Sequence, residues 1–130
     1  MASNLDLIKQ GYESFTRGDV QAATEPWTDG FVWDGPGTDE LPGGGQHESK
    51  EAALRALQEA VGAWDEFSLF VDELHEDGDT VIALGHNDVT KGERSDRLPW
   101  VHIWRLKDGR AERLQLLTDT LRAARLLGRV

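Results

Sequence analysis

The feature that most limits what this chain can fold into is its order of hydrophobic rhythms, with helix-period spacing first and four strand-like stretches joined by turn chemistry afterwards. Leu5, Ile8, Tyr12 and Phe15 recur at three, four and three residues, laying one apolar stripe along a helix over residues 4–17. Ser3 or Asn4 suits its N-cap and Gly18 its end. Asp19 caps a short second helix through Val20, Ala22 and Ala23 that stops near Pro26. Phe31, Val32 and Trp33 read as a short strand. The passage from Gly35-Pro36-Gly37 to Pro42-Gly43-Gly44-Gly45 reads as an irregular loop with freedom to move. Ser49 opens a long third helix over residues 50–64, where Leu54, Leu57, Val61 and Trp64 repeat the helical stripe.

Residues 66–75, 79–90, 97–107 and 110–118 are rich in Val, Leu, Ile, Phe, Trp and Thr and read as strands. Asp77-Gly78-Asp79 and Lys107-Asp108-Gly109-Arg110 are compact hairpin signals, because Gly and Asp tolerate positive φ. The link through Gly92 is looser, and Leu121, Ala124 and Leu127 form a short terminal helix ending at Gly128. Helices followed by hairpin-joined strands give an α+β domain whose helices lie on one face of a curved antiparallel sheet. A curved sheet partly closed by helices leaves a hollow. At 130 residues, the whole of 1–130 fits one domain.

Charge narrows the partners. The net charge of −10 argues against nucleic acid and anionic membranes, which attract clustered Lys and Arg. Residues 1–90 hold 4 basic and 19 acidic side chains and residues 91–130 hold 10 and 5, so the two parts are expected to pair within one fold. Trp100, Val101, Ile103, Trp104, Leu114, Leu116 and Leu117 interleave the basic stretch and must pack. With no cysteine, disulfides, thiolate zinc sites and cysteine nucleophiles are excluded. The start lacks a basic region followed by an apolar run, so a soluble, untargeted, cytoplasmic protein is expected. No metal-ligand spacing such as His-Glu-x-x-His occurs, Gly43-Gly44-Gly45 lacks the flanks of a phosphate loop, and neither metal nor cofactor is expected.

The order of elements resembles the SnoaL-like branch of the nuclear-transport-factor-2-like (ketosteroid isomerase-like, cystatin-like) superfamily. Phe31 to Gly37 is similar to the family's first strand and loop, Asp77 to Gly85 to its central hairpin, and Pro99 to Arg110 leading to Asp119-Thr120 is the strongest match. Ser49 stands where a glycine often precedes the third helix. The resemblance implies a cone-shaped curved sheet packed against three helices, with a central pocket for a hydrophobic small molecule. It also implies a homodimer and a reaction of isomerase, cyclase or lyase type on a carbonyl compound. The superfamily equally holds members with no catalytic role, so binding or dimerisation alone stays open.

Period-two alternation puts Arg113, Gln115, Leu117 and Asp119 on one face of the last strand. The matching position in SnoaL-like cyclases looks like the catalytic carboxylate, so Asp119 is a candidate proton shuttle near which the pocket is centred. Its plain alternative is a cap on the terminal helix. His86 and Asp88 share a strand face, and with Asp119 they resemble the two-carboxylate arrangement of limonene-type epoxide hydrolases. His86, Asp34 and Val32 depart from the arginine, asparagine and tyrosine of that pattern. His102 shares a face with Trp100 and Trp104 and is either a proton-exchanging pocket residue or a buried structural histidine. Trp33, Trp64, Trp100 and Trp104 suit a ring-containing ligand or simple core packing. Tyr12 either donates to a ligand carbonyl or packs in the helical stripe, and Gln115 and Leu117 complete the expected wall.

Overall fold

Each helix starts where a short polar side chain can accept a free backbone N–H. The computed structural model describes residues 2–130. In α1 (Asn4–Thr16) the Ser3 hydroxyl accepts from Asp6 N at 3.1 Å, and in α2 (Val20–Thr24) the Asp19 carboxylate accepts from Ala22 N at 3.0 Å. Ser49 caps α3 (Lys50–Gly62) through Ala52 N, and Asp119 caps α4 (Thr120–Leu126) through Arg122 N, both at 3.0 Å. Ser49 sits at φ 146°, in the region glycine favours, so its cap is gained against backbone strain.

The strands are β1 (Trp27–Gly35), β2 (Gly45–Glu48), β3 (Glu66–Asp77), β4 (Thr80–Lys91), β5 (Arg94–Lys107) and β6 (Arg110–Thr118). They form one curved sheet in the order β2-β1-β6-β5-β4-β3. From β3 to β6 the chain runs as an antiparallel meander, then β6 closes against β1 in parallel. The sheet is therefore mixed at this one pair, because the α3 crossover separates the β1–β2 hairpin from the meander that returns to it. The fold is the α+β, helix-covered curved sheet that the sequence calls for, with a fourth short helix.

Two local expectations change. β1 extends four residues upstream of Phe31 to Trp27, with a register irregularity between Trp27 and Val32 that hides the alternation. The glycine-rich loop packs closely against β1 and α3. Gly35 and Gly43 pack backbone to backbone, and a Cβ on Gly43 would lie 2.7 Å from the Ala56 carbonyl and 2.9 Å from Ala60 Cβ. Trp33 Nε1 donates to Gly43 O at 2.8 Å, and β2 emerges from the loop's end. Here the glycines serve close approach to α3.

Alternation along the strands settles the two faces. Val81, Ala83, Gly85, Asn87 and Val89 of β4, Leu98, Trp100, His102, Trp104 and Leu106 of β5, and Leu114, Leu116 and Thr118 of β6 face the helices. Trp27 and Phe31 stack at 4.1 Å beneath them, and Phe31 is fully buried. Each large apolar side chain so buried contributes roughly 1.5–3 kcal/mol. The opposite face carries Ile82 across from Ile103, Leu84 across from Val101, and Arg113, Gln115 and Leu117. Across the fold Lys91 pairs with Asp65, Arg97 with Asp88 and Arg113 with Asp34, joining the basic C-terminal part to the acidic remainder.

Candidate functional site

Between the inner sheet face and helices α1, α3 and α4 lies a cavity of about 170 Å³. Its walls are mostly apolar and rich in indole rings, with Trp27 and Trp33 supplied by β1, Trp64 by the segment just past α3, and Trp100 and Trp104 by β5. Among the described residues no Asp, Glu, Lys or Arg side chain lines it. Polar groups on the wall are few: Tyr12, Thr24, Asn87, His102 and Thr118. The two threonine hydroxyls donate to the Val20 and Pro99 carbonyls, each at 2.9 Å or less.

Tyr12, on the buried stripe of α1, meets His102 and Trp104 from β5. Tyr12 Oη lies 2.7 Å from His102 Nδ1 and accepts from Trp104 Nε1 at 2.8 Å. Trp100 stacks on the His102 ring with centroids 3.8 Å apart, and its Nε1 donates to Asn87 Oδ1 at 2.9 Å. That position depends on Gly85 in the neighbouring strand, where a Cβ would collide with the Trp100 ring and with the Phe70 carbonyl. Burial lowers the His102 pKa from 6.5 to about 3, so its imidazole is neutral at physiological pH. Burial likewise pushes the Tyr12 phenol well above its ordinary value, against the smaller opposite pull of the Trp104 N–H, and Tyr12 stays protonated.

Seven of the residues singled out from sequence line this cavity: Tyr12, Trp33, Trp64, Trp100, His102, Trp104 and Leu117, the last half-exposed at the rim. Five do not. Asp119 is exposed, capping α4 and 3.7 Å from Arg122 Nε, so the cavity is not centred on it. Asp88 faces outward against Arg97 at 3.0 Å, which holds its carboxyl below the usual range. His86 is also on the outer face, with Nδ1 2.9 Å from Asp72 and its ring stacked on Phe70. Asp34 pairs with Arg113 at 2.8 Å, and Gln115 points the same way, opposite Ile103. The facing of β6 is thus the reverse of the expected one, because Leu114 and Leu116 take the inner side. Asp88 and Asp119 are each engaged by a different arginine, Arg97 and Arg122. Among the described residues no three His, Asp or Glu side chains converge as metal ligands either.

The SnoaL-like domain model matches residues 8–114, most of the chain. The chain belongs to the SnoaL-like domain family. Among curated proteins none matches it. A nuclear-transport-factor-2-like protein of unknown function from Burkholderia pseudomallei is similar at 27% identity and TM-score 0.86, covering 98% of each chain. TerC, crystallised with polyporic acid, is similar at 24% identity and TM-score 0.86, over 96% of this chain and 98% of its own. IdmH from Streptomyces antibioticus, a candidate polyketide cyclase, is similar at 22% identity and TM-score 0.78, over 98% and 99%. The last two likenesses show the fold alone.

Sequence reasoning missed Trp27, Asn87 and Gly85. For Asn87 and Gly85 the signal was present, since they share the parity of Val81, Ala83 and Val89. It was masked because Ile82 and Leu84 make the other face of β4 apolar too.

Proposed function

We propose that this SnoaL-like domain binds an uncharged, hydrophobic, ring-containing carbonyl compound in the aromatic cavity. The observation that carries the reading is a wall without any charged side chain among the described residues, broken by one hydrogen-bonded cluster at Tyr12 and His102. An ionised ligand would leave an unpaired charge in an apolar enclosure, at a cost of several kcal/mol. Planar rings fit against indole faces. TerC's structure with polyporic acid is consistent with a small-molecule pocket on this fold.

A second reading, cyclase- or isomerase-type chemistry, is favoured by the same cluster. Neutral donors in a dry site can polarise a carbonyl and stabilise negative charge developing on its oxygen. Donation to the carbonyl oxygen needs no carboxylate in the wall, and the proton lost from carbon must go to a base that the ligand itself or solvent supplies. The test is capture from a mixed panel of steroids, aromatic polyketides and terpenoid epoxides, with retained and transformed compounds identified by mass spectrometry. Retention of uncharged ring ketones supports the binding reading and retention of nothing overturns it. Product formed by the native protein and lost in His102→Phe supports the second reading.

The homodimer implied by family resemblance has an outer face to use, where Ile82, Leu84, Val101 and Ile103 are half-buried and Leu117 and Phe70 are exposed. Leu114 and Leu116, of the opposite parity on β6, are inside and do not contribute to that face. Sedimentation of the native chain beside Val101→Glu tests this: a dimer that dissociates in the variant supports the face, and a native monomer removes it.

A further inference from the structure

We infer that His102 presents its Nε2–H into the cavity as a fixed, neutral hydrogen-bond donor, and that it selects ligands by a carbonyl oxygen. The inference rests on the binding reading above and deepens it. The argument begins at Trp104, whose indole nitrogen can only donate. Trp104 Nε1 donates to Tyr12 Oη at 2.8 Å, so one lone pair of that oxygen is taken. The phenolic proton then needs an acceptor, and His102 Nδ1, at 2.7 Å, is the one acceptor in reach among the described residues.

If Nδ1 instead carried the proton, Tyr12 Oη would accept twice and its own O–H would be left without a partner. An orphaned buried donor costs roughly 1–3 kcal/mol, enough to disfavour that tautomer about five- to 150-fold. A neutral imidazole with a bare Nδ1 holds its proton on Nε2. Nε2 has no hydrogen-bond partner among the described residues, yet no fully sealed side-chain nitrogen or oxygen there lacks one. Nε2 therefore reaches open space, and the space His102 lines is the cavity.

Three features keep this donor in place. Trp100 stacks across one face of the imidazole, so the ring cannot swing. Gly85 makes the room in which that indole lies. No charged side chain faces the ring: its cross-strand neighbours are Ala83 of β4 and Leu116 of β6, and the one titratable group packed on it is Tyr12 of α1. The relay Trp104 → Tyr12 → His102 aligns its dipoles toward the ligand, and each donor strengthens the next. The consequence is a preference for an acceptor oxygen, with His102 polarising the ligand rather than removing a proton from it.

The test has a structural and a ligand arm. Two-bond nitrogen–proton correlation spectra of histidine-labelled protein, with His102 assigned by its loss in His102→Gln, read the tautomer without any ligand. The expected pattern is Nε2–H at pH 7 and unchanged at pH 5, with tautomers mixing in Tyr12→Phe. An Nδ1–H tautomer or an imidazolium at pH 5 overturns the inference. In the ligand arm, calorimetry compares benzophenone with its isostere in which a methylene replaces the oxygen. The ketone should bind about three- to tenfold tighter to the native protein, the range of one neutral hydrogen bond. The difference should vanish in His102→Phe. Equal binding of both compounds refutes the donor and leaves the binding reading standing. A preference that survives His102→Phe assigns the donor elsewhere. Binding of neither removes the binding reading and this inference with it, whatever the tautomer.

Discussion

Lowering the pH from 7 to 5 should destabilise this protein through His102 alone by an amount that can be worked out. In the fold the imidazole titrates at about 3 because burial strips its charged form of water, whereas in the unfolded chain it returns to 6.5. Between those values the unfolded state takes up a proton that the folded state does not, so stability falls as pH falls. The contribution is present in full above 6.5 and is lost progressively down to about 3. At pH 5 the unfolded pKa lies about one and a half units above the solution, which corresponds to about 2 kcal/mol at 1.36 kcal/mol per unit. Carboxylates and the other histidines also respond to pH, so the native protein must be compared with His102→Gln, in which they are all retained. Urea denaturation at both pH values gives the double difference. The native protein should lose about 2 kcal/mol more than the variant between pH 7 and 5. Parallel losses in the two proteins would refute the claim that His102 is buried and neutral.

Three further substitutions separate packing, capping and site. Gly85→Ala should cost about 1–3 kcal/mol, since the new methyl must displace the Trp100 ring or the Phe70 strand; a lower melting temperature together with a shifted tryptophan emission checks it. Asp119→Ala should cost about 1 kcal/mol for the lost cap on α4 while leaving ligand retention unchanged. Reduced retention in a stably folded Asp119→Ala would return that carboxylate to the site. At Ser49, Ala keeps the strained φ and removes the cap, so Ser49→Ala should lose about 1 kcal/mol, whereas Ser49→Gly relieves the backbone and should change stability by only a few tenths. Thermal melts of the two variants, ranked, test the trade between strain and capping.

The helices and the meander were legible because their signals are local: apolar stripes at three- and four-residue spacing, and glycine–aspartate turns between strands. The closing parallel pair was not, since β6 meets β1 across more than half the chain and no local pattern records it. Strand facing shows the difference most sharply. On β5, Trp100 and Trp104 fix the parity and carry His102 inward with them. On β6, Arg113 and Gln115 share the parity of Asp119, and their polarity pointed outward, against the carboxylate expected inside. On β4 both parities are apolar, because Ile82 and Leu84 cover the outer face, and alternation gives no direction there. A two-faced apolar sheet thus conceals which polar residues are enclosed. What resolves the ambiguity is the charge each face must satisfy. Asp34, Asp88 and Asp119 have Arg113, Arg97 and Arg122 beside them on the surface, where water shares the load. Tyr12 and His102 need no counter-ion, and they are the titratable side chains that line the cavity. A carboxylate moved inward would leave its arginine behind and enter an aromatic enclosure uncompensated. The sequence therefore keeps these acids outside the cavity and its neutral donors within it, and the chemistry open to the cavity is set by that division.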